Sequence, residues 1–231
     1  MTREYIQDIK EVVNLRHKII SLIAAISGIF ISVYVITIFN RYLLMEFPLG
    51  LRMVLMIMVQ WLMILAPIIH IKVKGEKVRD YLFIKKNLTQ QIKVGIYLGL
   101  AMSVVFTIIP ILMGLKDMVG STSYTKPWQF AYEFVYVILG VALAEEFVFR
   151  GYIFNKLLEI KNSRWFAIIL SSILFGLFHI FNGSLIQVFM TGFIGLVFCI
   201  FREKIKDCSL LSLVICHGLY DGLITLLVAY L

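Results

Sequence analysis

Charge is what this chain has least of. Asp, Glu, Lys and Arg make up 16% of its 231 residues, against roughly 25% in an ordinary soluble domain, and that shortfall excludes a soluble globular protein. Cysteine occurs three times, at Cys199, Cys208 and Cys216, without CxxC spacing. The odd number and the spacing exclude a disulfide framework and a zinc knuckle, leaving buried, reduced thiols. There is no low-complexity tract and no internal repeat, so nothing suggests the inverted-repeat plan of many transporters. No polar stretch is much longer than about 20 residues, which leaves no room for a separate soluble domain. Acids are scarcer than bases, 14 against 22, for a net charge of +8. The bases are scattered through short segments and form no aromatic-interleaved stripe, so a nucleic-acid partner is excluded.

What the chain does have is apolar length. Hydrophobic residues make up 61% of it and mean hydropathy is +0.92. Runs near the ~20 residues that cross a bilayer core fall at 19–39, 49–71, 92–114, about 132–158, 165–181, 184–201 and 208–231. The predicted fold class is all-α: a polytopic integral membrane helix bundle of about seven transmembrane helices, with an eighth as the alternative that would move the C-terminus inside. The run 19–39 is too long for a secretory signal core and lacks an A-x-A-like cleavage site, so it is expected to remain as the first span. Before it, Tyr5, Ile6, Ile9, Val12 and Val13 recur near helical spacing, which predicts an interfacial amphipathic helix. Pro67 and Pro110 are expected to kink their helices, and the Gly95/Gly99 and Gly218/Gly222 pairs to permit close helix contact, by chance packing or at a dimer face. His17 and His70 sit near span ends, where interface placement is expected. Residues 1–127 then hold the interfacial helix and three spans, and residues 128–231 the candidate catalytic core, in one integrated membrane domain.

Most of the 22 bases lie before residue 19, at 72–86, at 150–164 and at 202–206, while Arg41, Lys116 and Lys126 fall on the opposite side. The positive-inside rule therefore selects a cytoplasmic N-terminus and, for seven spans, an outer C-terminus.

The stretch "ALAEEFVFRGYIF" sets Glu145, Glu146 and Arg150 inside one apolar run. A charge at the bilayer centre costs on the order of 2.5–3.5 kcal/mol, so each needs a partner or a function. Glu146 and Arg150 stand at i and i+4 and can neutralise each other as a supporting pair. Glu145 is turned about 100° away and needs a partner from another helix. Candidates are His179 and, again at i and i+4, His217 with Asp221. Counting 1.5 Å per residue from the turn near residue 162 puts Glu145 and His179 both roughly 25 Å deep, and His217 and Asp221 about 15 and 21 Å into the last span. Glu145, His179, His217 and Asp221 can thus converge from three helices on one cavity.

In order, Glu145-Glu146-x-x-x-Arg150, Phe175-x-x-x-His179 and His217-x-x-x-Asp221 resemble the motifs of the CPBP intramembrane proteases, also called the Abi family. That family includes CAAX prenyl endopeptidases and bacterial proteins linked to bacteriocin processing or self-immunity, and the resemblance covers about residues 130 to 225. It implies a CAAX-prenyl-protease-like membrane hydrolase in a bacterial cell membrane, cutting a peptide or protein substrate in or at the bilayer without a serine or cysteine nucleophile. It further implies that Glu145 and His179 activate a water while His217 and Asp221 serve the oxyanion. Desolvated carboxylates are effective proton acceptors and donors, which agrees with such a role. An ionised Asp221 would repel an oxyanion, so that residue is protonated, orients His217 or helps to hold a cation. The metalloprotease label attached to the family leaves two cofactor states open: none, or Zn(2+) on His179 and His217 with Glu145 or Asp221. No HExxH motif supports the metal. A different class stays open as well, a proton-coupled carrier or a bacteriocin-immunity binding protein, because intramembrane Glu and His also build proton relays.

Overall fold

The computed structural model describes residues 3–84, 87–181 and 184–231, and among them no strand occurs. Helix α1 (Arg3–Ile38) runs without a break into a π-helical turn. Next come α2 (Leu49–Gln60) and α3 (Leu62–Val73), separated at Trp61, and then α4 (Leu88–Ser103), which continues through a π turn at Val104–Ile108 into α5 (Ile109–Leu112). A short α6 (Lys116–Val119) precedes a helical rod over 127–160 made of α7 (Pro127–Tyr136), α8 (Leu143–Glu146) and α9 (Phe154–Ile160), joined by two π turns. The chain closes with α10 (Arg164–Phe178), α11 (Leu185–Lys204) and α12 (Leu210–Tyr230). Four of these helices begin at a capping side chain, since Asn87, Ser163, Ser184 and Ser209 each accept a backbone N–H of the first turn.

Among the described residues six helices are long and apolar enough to cross a membrane: Ile9–Glu46, Leu49–Val73, Leu88–Leu112, Arg164–Phe181, Leu185–Lys204 and Leu210–Tyr230. The expected span at about 132–158 is not among these six. It exists as part of the rod 127–160, which carries Glu133, Glu145, Glu146, Arg150 and Lys156. Protein covers those charges where lipid could not. From Ala142 to Leu157 almost every side chain is buried, including Glu146 and Arg150 at 0% exposure.

Contacts at both ends show that the rod traverses the bundle. At one end Lys156 pairs with Glu76 at 2.7 Å and Glu159 at 3.0 Å, Lys18 reaches the Glu159 carbonyl, Arg202 donates to Asn155 at 2.9 Å, and Arg164 pairs with Glu203. At the other end Tyr132 donates to the Met53 carbonyl at 2.7 Å and Phe130 meets Tyr230. The basic segments that the sequence separates into alternate loops therefore gather at one end.

One expectation changes. The predicted surface helix is continuous with the first span, with Ile9, Val12 and Val13 exposed along α1; the side chains of Tyr5 and Ile6 lie outside the described residues. His70 lies in the last turn of α3, half-buried. It bridges Ser21 of α1 and Tyr152 of the rod through its two ring nitrogens.

The glycine pairs pack within the chain. A Cβ on Gly95 would stand 2.7 Å from the Ser212 carbonyl oxygen, and one on Gly218 would stand 2.9 Å from Ile138 Cα. Helix α12 is thus clamped between α4 and the rod by close backbone approach. The π turn at Val104–Ile108 lies where Pro110 withholds an N–H from the preceding turn. All three cysteines are buried, and no disulfide forms among the described residues.

Candidate active site

The site is built outward from the buried pair. Arg150 Nη1 donates to Glu146 Oε1 at 2.9 Å, and its Nη2 lies 3.3 Å from the Gly195 carbonyl oxygen on α11. The guanidinium is stacked between rings, 4.2 Å from the centroid of Phe175 and 5.0 Å from that of Phe198. A Cβ at position 195 would fall 2.9 Å from the Phe175 ring, so glycine there lets α11 bring its carbonyl to the arginine. An ion pair so thoroughly desolvated holds together only through such added contacts.

Glu146 has a second duty that sequence spacing does not reveal. Its Oε1 is 2.8 Å from His217 Nδ1 on α12, so one carboxylate ties the arginine of its own helix to the imidazole of another. With Nδ1 engaged by Glu146, the other ring nitrogen lies 3.3 Å from Asp221 Oδ2 and 3.8 Å from Glu145 Oε2. A count along one helix cannot show a contact across helices, which is why Glu146 reads from sequence as a charge partner alone.

Glu145 points to the same space. Its side chain is 16% exposed and that of Asp221 30%, while Glu145 Oε2 is buried and takes no hydrogen bond from the described protein groups. The 3.8 Å to His217 is too long for a direct hydrogen bond and suits a bridging water. His179 follows the last residue of α10 in a 3-10 turn, where its Nδ1 contacts the Phe175 carbonyl at 2.8 Å. A carbonyl only accepts, so Nδ1 carries the proton and Nε2 keeps its lone pair. His179, His217, Asp221 and Glu146 all lie within electrostatic reach of Glu145. The structure therefore gathers Glu145 and Asp221 around His217 Nε2, with His179 within electrostatic reach of Glu145.

Among the described residues no three His, Cys, Asp or Glu side chains converge as a metal ion would require. His217 Nδ1 is engaged by Glu146 and His179 Nδ1 by a carbonyl, contacts that would equally orient an Nε2 ligand. The misfit to zinc therefore lies in the spacing of the donors, which do not gather in threes among the described residues.

A second polar cluster occupies the basic end. Lys156 is buried beside Glu76, whose carboxylate also accepts from Tyr81. Burial pushes the Glu76 carboxyl up, but the hydrogen bonds from Lys156 and Tyr81 outweigh it and hold the group below its ordinary value. Burial and the neighbouring Glu76 charge push the Tyr81 phenol well up. In the loop before the rod, Tyr124 donates to Glu133 Oε2 at 3.0 Å, and burial with that carboxylate raises its phenol to about 12. Nothing in the sequence pattern singles out Glu133.

Residues 127–223 match the family described as type II CAAX prenyl endopeptidase Rce1-like. No curated protein and no solved structure matches the chain.

Proposed function

We propose that this protein, whose residues 127–223 match the type II CAAX prenyl endopeptidase Rce1-like family, hydrolyses a peptide bond of a membrane-associated substrate with water activated by Glu145 and His179. The observation that carries the reading is Glu145 Oε2, buried without a hydrogen-bond partner among the described residues and 3.8 Å from His217 Nε2. A water between them is polarised by a carboxylate held out of bulk solvent, where a base is more effective. His179 Nε2, left with its lone pair, is the second acceptor. As the water attacks, its oxygen bonds to the scissile carbonyl carbon and its proton passes to Glu145, which returns it to the leaving amine as the C–N bond breaks.

His217 stabilises the developing oxyanion as an imidazolium, its Nδ1–H held by the Glu146 carboxylate and its Nε2–H left to donate. Asp221, 3.3 Å from the same imidazole, acts through that ring by orienting it, the choice among its three candidate roles that the geometry favours. Arg150 offsets Glu146, so the charge that remains for chemistry is that of Glu145. The substrates this reading covers are CAAX-type prenylated peptides and peptides of maturation or bacteriocin immunity. We further propose that the basic end of the bundle faces the cytoplasm, following the excess of Lys and Arg in its loops, in a bacterial cell membrane.

The test is cleavage of a farnesylated peptide ending in Cys-aliphatic-aliphatic-X by protein reconstituted in nanodiscs, with metal content measured on the same samples. Glu145→Ala and His179→Ala are expected to insert and melt like wild type and to release no product. Normal turnover by either would remove the assignment. Proton-dependent flux in liposomes with no cleaved peptide would favour a carrier instead.

A further inference from the structure

Hydrolysis consumes one water per turnover, and a site enclosed by a lipid-embedded bundle must be resupplied. The way in is not from the basic end. There the rod is plugged by Arg150, Tyr152, Ile153 and Phe154, each 0% exposed. Toward the opposite end exposure returns, at Glu145, at Asp221 and at Glu133.

Glu133 is the residue on that side without an account. It lies on the rod 12 positions before Glu145, which for an α-helix would leave it about 120° off that residue's direction. The π turn at Val137–Ala142 intervenes, and π turns advance by a smaller angle per residue, so the two carboxylates return to the α12 side. Both then lie within electrostatic reach of Asp221. No lysine, arginine or histidine pairs with Glu133 among the described residues. Its partners are hydroxyls: Tyr124 at 3.0 Å and Thr225. The Thr225 hydroxyl is in turn 3.5 Å from the Asp221 carbonyl oxygen, and Asp221 Oδ2 is 3.3 Å from His217 Nε2. A carboxyl group facing hydroxyls and a second acid, with no cation, is retained inside a bundle as the neutral acid or as a hydrated group, and the partial exposure of Glu133 fits hydration.

We propose that Glu133 is a positioning residue for water: with Tyr124, Thr225 and Asp221 it forms a polar file that admits water from the Tyr124 end of the bundle to Glu145. As to catalysis, this rests on the hydrolase reading. The file itself does not, because it requires water at those side chains whether or not a peptide is cut.

Radiolytic hydroxyl labelling reads bound water directly, and Tyr136, within electrostatic reach of Glu133, Glu145 and Asp221, is the reporter. In nanodiscs Glu133→Leu is expected to cut Tyr136 labelling several-fold while leaving Tyr81 at the basic end unchanged. Glu133→Gln, which keeps polar atoms in place, should restore it, and Thr225→Val should interrupt the file independently. On the farnesylated peptide, Glu133→Leu should lower kcat with KM unaltered. Wild-type labelling of Tyr136 in both Glu133→Leu and Thr225→Val would overturn the proposal, as would equal loss in Glu133→Gln. Should wild type cleave no peptide, the hydrolase reading falls while labelling still decides the file.

Discussion

Glu145 and Glu146 are neighbours in sequence with opposite duties, and the difference lies in which partners reach them. Glu146 is claimed twice through Oε1, by Arg150 and by His217, while among the described residues the nearest cationic or imidazole group to Glu145 Oε2 is His217 Nε2 at 3.8 Å, beyond a direct hydrogen bond. Elsewhere a carboxylate is used for cohesion. Glu76 reaches from the loop after α3 to Lys156 on the rod and is held below its ordinary value of 4.5. A carboxyl lowered on folding contributes stability that is fully present above its unfolded value and is lost as pH falls through the folded one. The melting-temperature advantage of wild type over Glu76→Gln in nanodiscs should accordingly hold at neutral pH and shrink as the pH drops below 4.5. An advantage that stays constant down to that range and beneath it would deny the strap any role. Because Glu76 is about one-third exposed, solvent screening keeps its effect modest.

Helix α12 shows how an element delivers chemistry. It brings His217 and Asp221 to the rod because Gly218 and Gly222 remove the side chains that would hold the helices apart. Alanine is the better helix former, by about 1 kcal/mol, yet a Cβ at 218 would stand 2.4 Å from Ile138 Cγ1 and 2.9 Å from its Cα. Overpacking of that kind costs about 1–3 kcal/mol, so the clash wins. Gly218→Ala should lower both the melting temperature and kcat by shifting His217, while Gly50→Ala, with nothing within 4 Å of the new methyl, should behave like wild type. Equal behaviour of the two variants would show that helix separation is not critical. The pairing of glycines is legible in the sequence, but their partner helix is not, since spacing along one segment is silent about what lies opposite. The π turns are illegible for a related reason. A periodicity of 3.6 assumes uniform winding, and it hides the alignment of Glu133 with the Asp221 side that the unwound segment at Val137–Ala142 produces.

For the molecule as a whole, counting depth from the turn near residue 162 puts Glu145 and His179 level, and the two lie within electrostatic reach of each other. The count of spans is harder, because an apolar run with internal charges can be read as a lipid-facing helix or as one wrapped by protein. The rod 127–160 is the second kind, and this is the physical basis of the site: six apolar helices offer shelter in which one charged helix can be desolvated. The central claim is that Glu145 works in that shelter as a proton acceptor. It is tested most directly by single-turnover cleavage of the farnesylated peptide by Glu145→Gln in nanodiscs, a variant that keeps size and hydrogen bonding but cannot take the proton. The account predicts an unchanged melting curve and a rate at least ~10²-fold below wild type; cleavage at the wild-type rate would contradict it.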